Sequence, residues 1–423
     1  MPRERETQRS TPLYGWYVLA SSFVILFFNS GARYSFGVTF KPMITEFGWD
    51  RGSISLVFFL NMTLYALSLT LVGKAYDRYG PKWVILVSTV FVSSGYGLIS
   101  RIGTIWQFCI SYGVIAAIGL GGPSVTLMAA ITSKWFEKWR GAAISLALSG
   151  NSIGQFVLVP IITLVVSRYG WRTSYLLISL IMFGVNTVLA FSVIRGDPED
   201  LGYRPFGSQH MGEVANPEEG PPSNGPPHDM SLREAMGTPS FWFFLVVMFI
   251  CGSGDFLVTT HLIPWVTDYG ISPFTAGHML AWLGLMSLAG MLVAGPVSDL
   301  FGNKIPIALT FLLRSFLFLL ILKYQNLFSF YVFALAFGFT LLITAPLNAT
   351  LMGKLYGFSH VGLITGFITT IHHLGGGFWA YMGGRIFDRT GGYGLAFFLS
   401  AVMALVAMLA ALLITEKRHR PLR

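Results

Sequence analysis

The stretch "GKAYDRYGPK", residues 73–82, recurs in altered form as "GPVSDLFGNK", residues 295–304, which begins 222 positions later. Four residues are the same in both copies: Gly73, Asp77, Gly80 and Lys82 match Gly295, Asp299, Gly302 and Lys304. The same spacing pairs Pro42 with Pro264, Glu46 with Asp268 and Gly48 with Gly270, and a spacing one residue shorter pairs "GNSIG" (150–154) with "IHHLG" (371–375). Recurrence in three separate blocks predicts a chain built from two homologous halves.

The composition indicates a membrane protein. Of the 423 residues, 53% are hydrophobic and only 11% are charged, whereas a soluble protein would be about one quarter charged. Apolar runs of about 20 residues, the length that crosses a bilayer as a helix, recur along the chain. We therefore predict an all-α membrane protein with twelve spans, at 13–40, 53–72, 82–100, 104–132, 141–167, 171–194, 239–265, 273–297, 305–323, 327–352, 360–387 and 393–415.

The segment between the sixth and seventh spans has a different character. It contains "NPEEGPPSNGPPHD", residues 216–229, which is rich in proline, glycine and acid and has no apolar periodicity. We predict an N-terminal six-helix bundle at 1–195, a flexible cytoplasmic linker at 196–237 and a C-terminal six-helix bundle at 238–423. Near the end of the linker, Ser231 and Glu234 have the spacing of a helix capping box.

The basic residues predict an orientation. An even number of spans puts both ends of the chain on one side, and most of the 28 Lys and Arg residues fall in the segments of that side. By the positive-inside rule, both termini are expected in the cytoplasm, in a multi-pass protein of the cytoplasmic (inner) membrane. Lipid headgroups account for the net charge of +9 without nucleic acid, and no obligate protein partner is implied.

The motifs of several other classes of protein are absent from the sequence. It has no G-x-x-x-x-G-K-[S/T] phosphate loop, no metal-ligand spacing and no serine or paired-carboxylate constellation. We therefore expect neither an enzyme nor a bound cofactor or metal.

The loop motifs resemble those of the major facilitator superfamily. The signature G-x-x-x-D-[R/K]-x-G-x-[K/R] is met by Gly73, Asp77, Arg78, Gly80 and Lys82, and a weaker copy includes Asp299. Within the superfamily the chain is similar to bacterial relatives of the monocarboxylate transporters and the oxalate–formate antiporters. The similar stretches are "YSFGVTFKPMITEFGW" (34–49), "WFEKWRGAAISLALSGNSIG" (135–154), "THLIPWVTDYGIS" (260–272) and "GGRIFDRTGGY" (383–393).

The resemblance implies two pseudo-symmetric six-helix bundles around a central cavity, with substrate bound between them and alternating access by rocking. The signature residues, Asp299 included, would form a conformational latch. We expect a secondary transporter of small organic anions, mono- or dicarboxylates, that works by proton symport or by exchange. Two alternatives stay open, an exporter of hydrophobic or cationic compounds and a membrane sensor that does not transport.

Two opposite charges lie at equivalent positions within the spans. Arg33 lies in "FFNSGARYSFGVTF" (27–40), and Asp255 follows 222 positions later. An unpaired charge at the bilayer centre costs about 3 kcal/mol or more, so a pairing across the cavity is expected. One hypothesis is a gate, in which a substrate carboxylate displaces Asp255 from Arg33 and Asp255 takes up a proton. The alternative is a fixed salt bridge between the halves.

Further polar residues in the spans are candidates for the same cavity. Asn29 shares a helical face with Arg33, and the other candidate substrate-binding residues are Asn151, Gln155, Asn348 and His372. His261 is either a proton relay or a hydrogen-bonded structural residue. Arg314 is expected to turn inward to backbone carbonyls or a headgroup. Glycine clusters such as 119–122, 150–154 and 375–377 are expected to mark close helix packing.

The sequence departs from the family pattern in span eight. The related transporters carry a substrate-binding arginine eight residues before the aspartate of the second loop signature, where this chain has Met291. Either Arg33 replaces that arginine, or the substrate is not a simple monocarboxylate.

Overall fold

The structure is a computed structural model and describes residues 13–207, 230–356 and 361–415. Within these ranges the chain forms twelve membrane-length helical spans. Span 1 is Leu13–Phe47, spans 2 and 3 are the two arms of Arg51–Ile99, span 4 runs from Ile105 to Trp135, and spans 5 and 6 are the two arms of Arg140–Ser192. Spans 7 to 12 are Pro239–Asp268, Pro273–Phe301, Lys304–Lys323, Leu327–Tyr356, Val361–Thr390 and Gly394–Leu413.

Span 4 is the least regular of the twelve. It consists of a first turn Ile105–Phe108, a π-helix Cys109–Ala116, a turn Ala117–Leu120 and a final helix Val125–Trp135. Ser124 caps the final helix by accepting from the amide of Leu127. The break leaves backbone carbonyls near residue 123 available to a neighbouring span.

Glycine makes the sharp turns possible between consecutive spans. Gly80 and Gly170 interrupt the two longest helices with φ of 75° and 82°, a left-handed conformation in which side chains with a Cβ are strained. Gly302, the counterpart of Gly80 in the repeat, has φ of 75° as well. Gly48 and Gly270, another pair in the repeat, have φ of 67° and 76°. The duplication seen in the sequence is therefore also present in the backbone geometry.

The spans run between two faces of the molecule, which we name by their turns. The proximal face carries Gly80 and Gly302, and the distal face carries Gly48, Gly170 and Gly270. Span 1 begins at the proximal face and ends at the distal face, and each later span reverses direction.

Among the described residues, six spans form the main contact between the two bundles. Span 1 packs along span 5 within the first bundle, and spans 7 and 11 pack together within the second. Span 2 packs on span 11, span 5 on span 8, and span 1 meets span 7 across the boundary. A side chain on spans 1, 2, 5, 7, 8 or 11 can therefore face the interior between the bundles.

The glycine clusters are places of close helix packing, as the sequence predicted. A Cβ on Gly154 would lie 2.2 Å from the carbonyl oxygen of Phe27 on span 1, and one on Gly119 would lie 2.2 Å from the amide nitrogen of Val92. A Cβ on Gly375 would lie 2.4 Å from the carbonyl oxygen of Phe249. Only a residue without a side chain allows these backbones to approach so closely.

The two described ends of the linker are attached to the bundles. The amide of Phe206 donates to the carbonyl of Trp135, and its own carbonyl accepts from the amides of Glu137 and Lys138. A short helix Pro198–Leu201 precedes this contact.

At the other end of the linker, Leu232–Met236 forms a helix with the predicted capping box between Ser231 and Glu234. Span 6 ends at Ser192 and span 7 begins at Pro239. The division at 195 and 238 stays a prediction, and the chain termini lie outside the described residues.

Candidate functional site

Arg33 lies between the two bundles and among aromatic rings. Its guanidinium carbon is 5.2 Å from the ring centre of Tyr65 on span 2 and 5.3 Å from that of Phe256 on span 7. Its Nη2 lies 3.7 Å from the sulfur of Met62. The side chain is only partly buried. Among the described residues, no carboxylate forms an ion pair with it.

Asp255 pairs with a different arginine from the one expected. Its Oδ1 lies 2.8 Å from Nη1 of Arg314, which is 1% exposed and comes from span 9. Arg314 also donates from Nη2 to the carbonyl of Thr340 at 2.7 Å and from Nε to the Thr340 hydroxyl at 3.0 Å. The expected pairing of Arg33 with Asp255 is thus not formed in this conformation, because Asp255 faces the interior of its own bundle. The inward turn of Arg314 onto backbone carbonyls agrees with the expectation.

Two more side chains complete the cluster around Asp255. The Sγ of Cys251 lies 3.6 Å from Oδ2 of Asp255, and Nε2 of His372 lies 3.8 Å from the same oxygen. The His372 ring also packs on Phe256 with 5.7 Å between the ring centres. Because Phe256 covers Arg33, His372 links the charged pair to the surroundings of Arg33.

The thiol, carboxylate and imidazole of this cluster are close enough to ligate a metal, with the ligand atoms within 4.8 Å of one another. The guanidinium of Arg314 lies 2.8 Å from the Asp255 carboxylate and would repel a divalent cation placed there. The electrostatics of the cluster therefore oppose the binding of a divalent metal.

The predicted polar residues occupy different places. Asn29 lines a cavity of about 10 Å³ together with Arg33, Met62, Tyr65 and Leu120, and it donates to the carbonyl of Pro123 at 2.6 Å. The break in span 4 supplies this carbonyl. The structure therefore brings Asn29 and Arg33 together, as the shared helical face predicted.

The other three amide side chains each interact with a protein group. Gln155 is buried and donates to the carbonyl of Leu280 at 2.8 Å, which joins span 5 to span 8. Asn348 donates to the sulfur of Met248 at 2.9 Å. Asn151 interacts with the hydroxyl of Tyr34, the neighbour of Arg33. Of these three, Asn151 is thus the one that interacts with a sequence neighbour of Arg33.

His261 is fully buried in a hydrogen-bond network. Its Nε2 lies 2.8 Å from the carbonyl of Ala380, and its Nδ1 lies 2.8 Å from the hydroxyl of Tyr393. A carbonyl can only accept, so Nε2 carries the proton and Nδ1 accepts from Tyr393. Burial raises the pKa of the Tyr393 hydroxyl, which keeps that donor protonated at neutral pH. In this conformation both ring nitrogens of His261 are hydrogen-bonded, and its role as a proton relay or a structural residue stays a prediction.

A set of charged residues closes the distal face, and sequence reasoning missed it. Arg51 on span 2 forms an ion pair with Asp268 on span 7 at 2.8 Å, and Lys41 pairs with the same carboxylate at 3.0 Å. Asp388 on span 11 accepts from the backbone amides of Arg51 and Gly52 at 3.0 and 2.7 Å. We call these four residues, Lys41, Arg51, Asp268 and Asp388, the distal lock. The repeat, which matches Asp268 with Glu46, was the one feature of the sequence that could have indicated the distal lock.

The loop signatures at the proximal face are not engaged between the bundles. Asp77, Arg78 and Asp299 are exposed. Between described residues, the polar contacts that join the two bundles lie at the distal face or midway through the molecule. The distal face is closed in this conformation, and the latch role of the signature residues stays a prediction.

Asp268→Asn is expected to open the distal face more often, because it removes the carboxylate shared by Lys41 and Arg51. Ion pairs of this partly exposed kind contribute about 0.2–1 kcal/mol each. Loss of two such pairs should raise the ratio of open to closed molecules by about two- to thirtyfold. Pulsed electron paramagnetic resonance between spin labels at Arg101→Cys and Gln325→Cys, in a background without the native cysteines, measures the opening.

The matched control is Glu46→Gln at the same face. Glu46 pairs with Arg172 inside the first bundle, so its loss should leave the distance distribution unchanged. An equal response of the two variants, or no response to Asp268→Asn, would show that the distal lock does not hold the bundles together.

Comparison with known proteins bears on the class of protein. Twelve spans in two pseudo-symmetric bundles, with charged residues between them, define a multi-pass membrane transporter rather than an enzyme. The model of the Major Facilitator Superfamily matches residues 22–267 and 244–423. The chain belongs to this superfamily.

The relatives give the group within the superfamily. An uncharacterized MFS-type transporter, YcxA, of Bacillus subtilis (strain 168) is 26% identical over 97% of this chain and 99% of its own length. The oxalate:formate antiporter of Oxalobacter formigenes is 22% identical over 99% of this chain and 96% of its own. Monocarboxylate transporter 13 of Bos taurus is 22% identical over 93% of this chain and 87% of its own.

A solved structure agrees with the fold. A bacterial homologue of the human lysosomal transporter Spinster, in an inward-facing and occupied conformation, superposes with a TM-score of 0.74. The alignment covers 96% of this chain and 97% of that chain at 14% sequence identity. Both chains therefore have the major facilitator fold.

Proposed function

We propose that this transporter moves small organic anions, mono- or dicarboxylates, across the cytoplasmic membrane by alternating access. One observation carries the proposal. Arg33 lies between the bundles, partly buried and without a carboxylate partner among the described residues. A permanent charge in such a place is costly, and an anionic substrate would compensate it.

The chemistry of the guanidinium supports a carboxylate. Its planar fork donates two parallel hydrogen bonds to the two oxygens of a carboxylate, which gives both strength and orientation. Asn29 lines the same cavity and offers a further polar group. In this proposal Arg33 takes the place of the arginine that the related transporters carry in span eight, where this chain has Met291.

If transport is proton symport, Asp255 and His372 are the residues that bind the coupled proton. Asp255 already has Arg314 as its counter-charge, so substrate does not need to displace it from Arg33. His372 lies between this pair and Phe256, which contacts Arg33. A proton shared by His372 and Asp255 would then respond to an anion that arrives at Arg33. Exchange of one anion for another remains the alternative mode.

The exporter alternative is less well supported. A cationic substrate needs a free carboxylate in the cavity, and the one acid well inside a predicted span is held by Arg314. The names of two relatives, an oxalate:formate antiporter and a monocarboxylate transporter, favour carboxylates as well. The bias of basic residues supports cytoplasmic termini, with the distal face outside.

Counterflow in proteoliposomes tests the proposal. Vesicles loaded with one unlabelled carboxylate are diluted into the same labelled carboxylate, over a panel of mono- and dicarboxylates. We expect at least one member of the panel to accumulate transiently above the protein-free control. Accumulation of labelled organic cations, with none of any carboxylate, would favour the exporter alternative, and no counterflow of either class would favour the sensor.

A further inference from the structure

The residues around Arg33 indicate the shape and chemistry of the uncharged part of the substrate as well as its charge. We infer that the site selects a singly charged carboxylate with a planar, aromatic body. This inference rests on the proposed function, because it takes Arg33 as the group that binds the carboxylate.

The charge balance of the interior points to a monoanion. Two arginines, Arg33 and Arg314, lie near the middle of their spans. Arg314 is neutralised by Asp255 at 2.8 Å and is 1% exposed. Arg33 has no such partner among the described residues. One carboxylate would leave the closed site neutral, whereas a second would be a buried charge without a fixed counter-charge.

The walls of the site are aromatic on both sides. Tyr65 and Phe256 face the guanidinium from the first and the second bundle, at 5.2 and 5.3 Å. Phe58 packs on Phe256 with 6.0 Å between ring centres, and His373 packs on Tyr65 and Phe256 at 5.2 and 5.6 Å. We call these four rings the aromatic walls. Together with His372 they form a continuous set of π surfaces around one cation.

The space beside Arg33 indicates how a ligand would enter. Two cavities of about 10 Å³ flank the side chain, one lined by Asn29 and Tyr65 and the other by Tyr34 and Phe256. Each has room for about one water molecule. A larger ligand therefore requires the bundles to part, which moves Phe256 away from Tyr65. The same movement separates Phe58 from Phe256 and Tyr65 from His373, and a planar ring inserted between the bundles would replace these ring contacts.

An aliphatic acid of the same size cannot make that contact equally well. Aromatic pairs add a favourable term beyond area burial because of their quadrupoles. From that term we expect benzoate to bind about two- to tenfold more tightly than cyclohexanecarboxylate, which has a similar size but no π face. Acetate and oxalate should bind more weakly still.

Binding by the purified full-length protein in detergent tests the inference separately from transport. The quenching of tryptophan fluorescence, or the shift in melting temperature, gives apparent affinities for benzoate, cyclohexanecarboxylate, acetate and oxalate. Phe256→Leu should bring the ratio of benzoate to cyclohexanecarboxylate affinity close to one. Phe156→Leu is the matched control, since Phe156 packs on Trp282 elsewhere between the bundles and should preserve the ratio.

The possible outcomes separate the two proposals. Tighter binding of oxalate or acetate than of benzoate, or an unchanged affinity ratio in Phe256→Leu, overturns the aromatic monoanion and leaves carboxylate transport intact. Absence of binding by every carboxylate, together with failure of counterflow, overturns the proposed function itself.

Discussion

Replacing Arg314 with leucine is expected to lower the free energy of unfolding by about 3–5 kcal/mol, because it leaves the Asp255 carboxylate buried without its partner. Arg314 is 1% exposed and its guanidinium also donates to the Thr340 carbonyl, so its loss removes a buried counter-charge and a hydrogen-bond donor together. Unfolding of the detergent-solubilised protein by titration with a denaturing detergent measures the change.

The double variant Arg314→Leu/Asp255→Leu compares the stability that the ion pair contributes with the stability of apolar packing at the same place. Removing both charges should return most of the lost stability, since two apolar residues of similar volume avoid the desolvation penalty of the ion pair. Arg101→Leu is the control, because Arg101 is exposed at the distal face, and it should change stability by no more than about 0.5 kcal/mol. If Arg314→Leu alone were as stable as the unaltered protein, the buried ion pair would not be a structural element of the second bundle.

Replacing Arg33 with alanine should have the opposite profile, a large effect on transport and a small one on stability. Truncating one partner of a buried, hydrogen-bonded charge pair costs about 2–5 kcal/mol of binding free energy, so counterflow of the preferred carboxylate should fall by about 100-fold. Stability should not fall in the same way, because Arg33 has no carboxylate partner to leave behind among the described residues.

Arg33→Lys distinguishes charge from geometry. Lysine keeps the positive charge but loses the planar fork, so we expect intermediate transport with a raised apparent KM. Initial rates of counterflow are measured over a range of substrate concentrations with equal amounts of reconstituted protein. They give the apparent KM and the maximal rate, and Arg101→Ala is the control. An unchanged apparent affinity in Arg33→Ala would remove Arg33 from the binding site.

The contrast between these two arginines shows how far sequence reasoning extends. The repeat predicts that positions 33 and 255 are equivalent places in the two bundles. Equivalence under a repeat does not state which way a side chain faces, and Asp255 faces Arg314 of its own bundle. That partner comes from span 9, 59 residues along the chain from Asp255, and no local pattern joins the two.

The contacts of the predicted polar residues are of two kinds, those that sequence spacing determines and those that depend on the docking of separate helices. Asn29 shares a cavity with Arg33 because the two lie one turn apart on a single helix, a relation that sequence spacing fixes. Gln155 and His261 meet backbone carbonyls of spans 8 and 11, and these partners depend on how separate helices dock.

The sequence by itself determined the twelve spans, their order and the duplication into two bundles. These follow from local demands, since a bilayer requires about 20 apolar residues in each helix and each helix satisfies its own backbone hydrogen bonds. Only the tertiary structure decided that Asp255 binds Arg314, that Arg33 is left among aromatic rings, and that Arg51, Asp268 and Asp388 close the distal face. Those contacts join residues up to 337 positions apart. Their free energy depends on helix rotation and docking in one conformation, which the order of residues along a span does not specify.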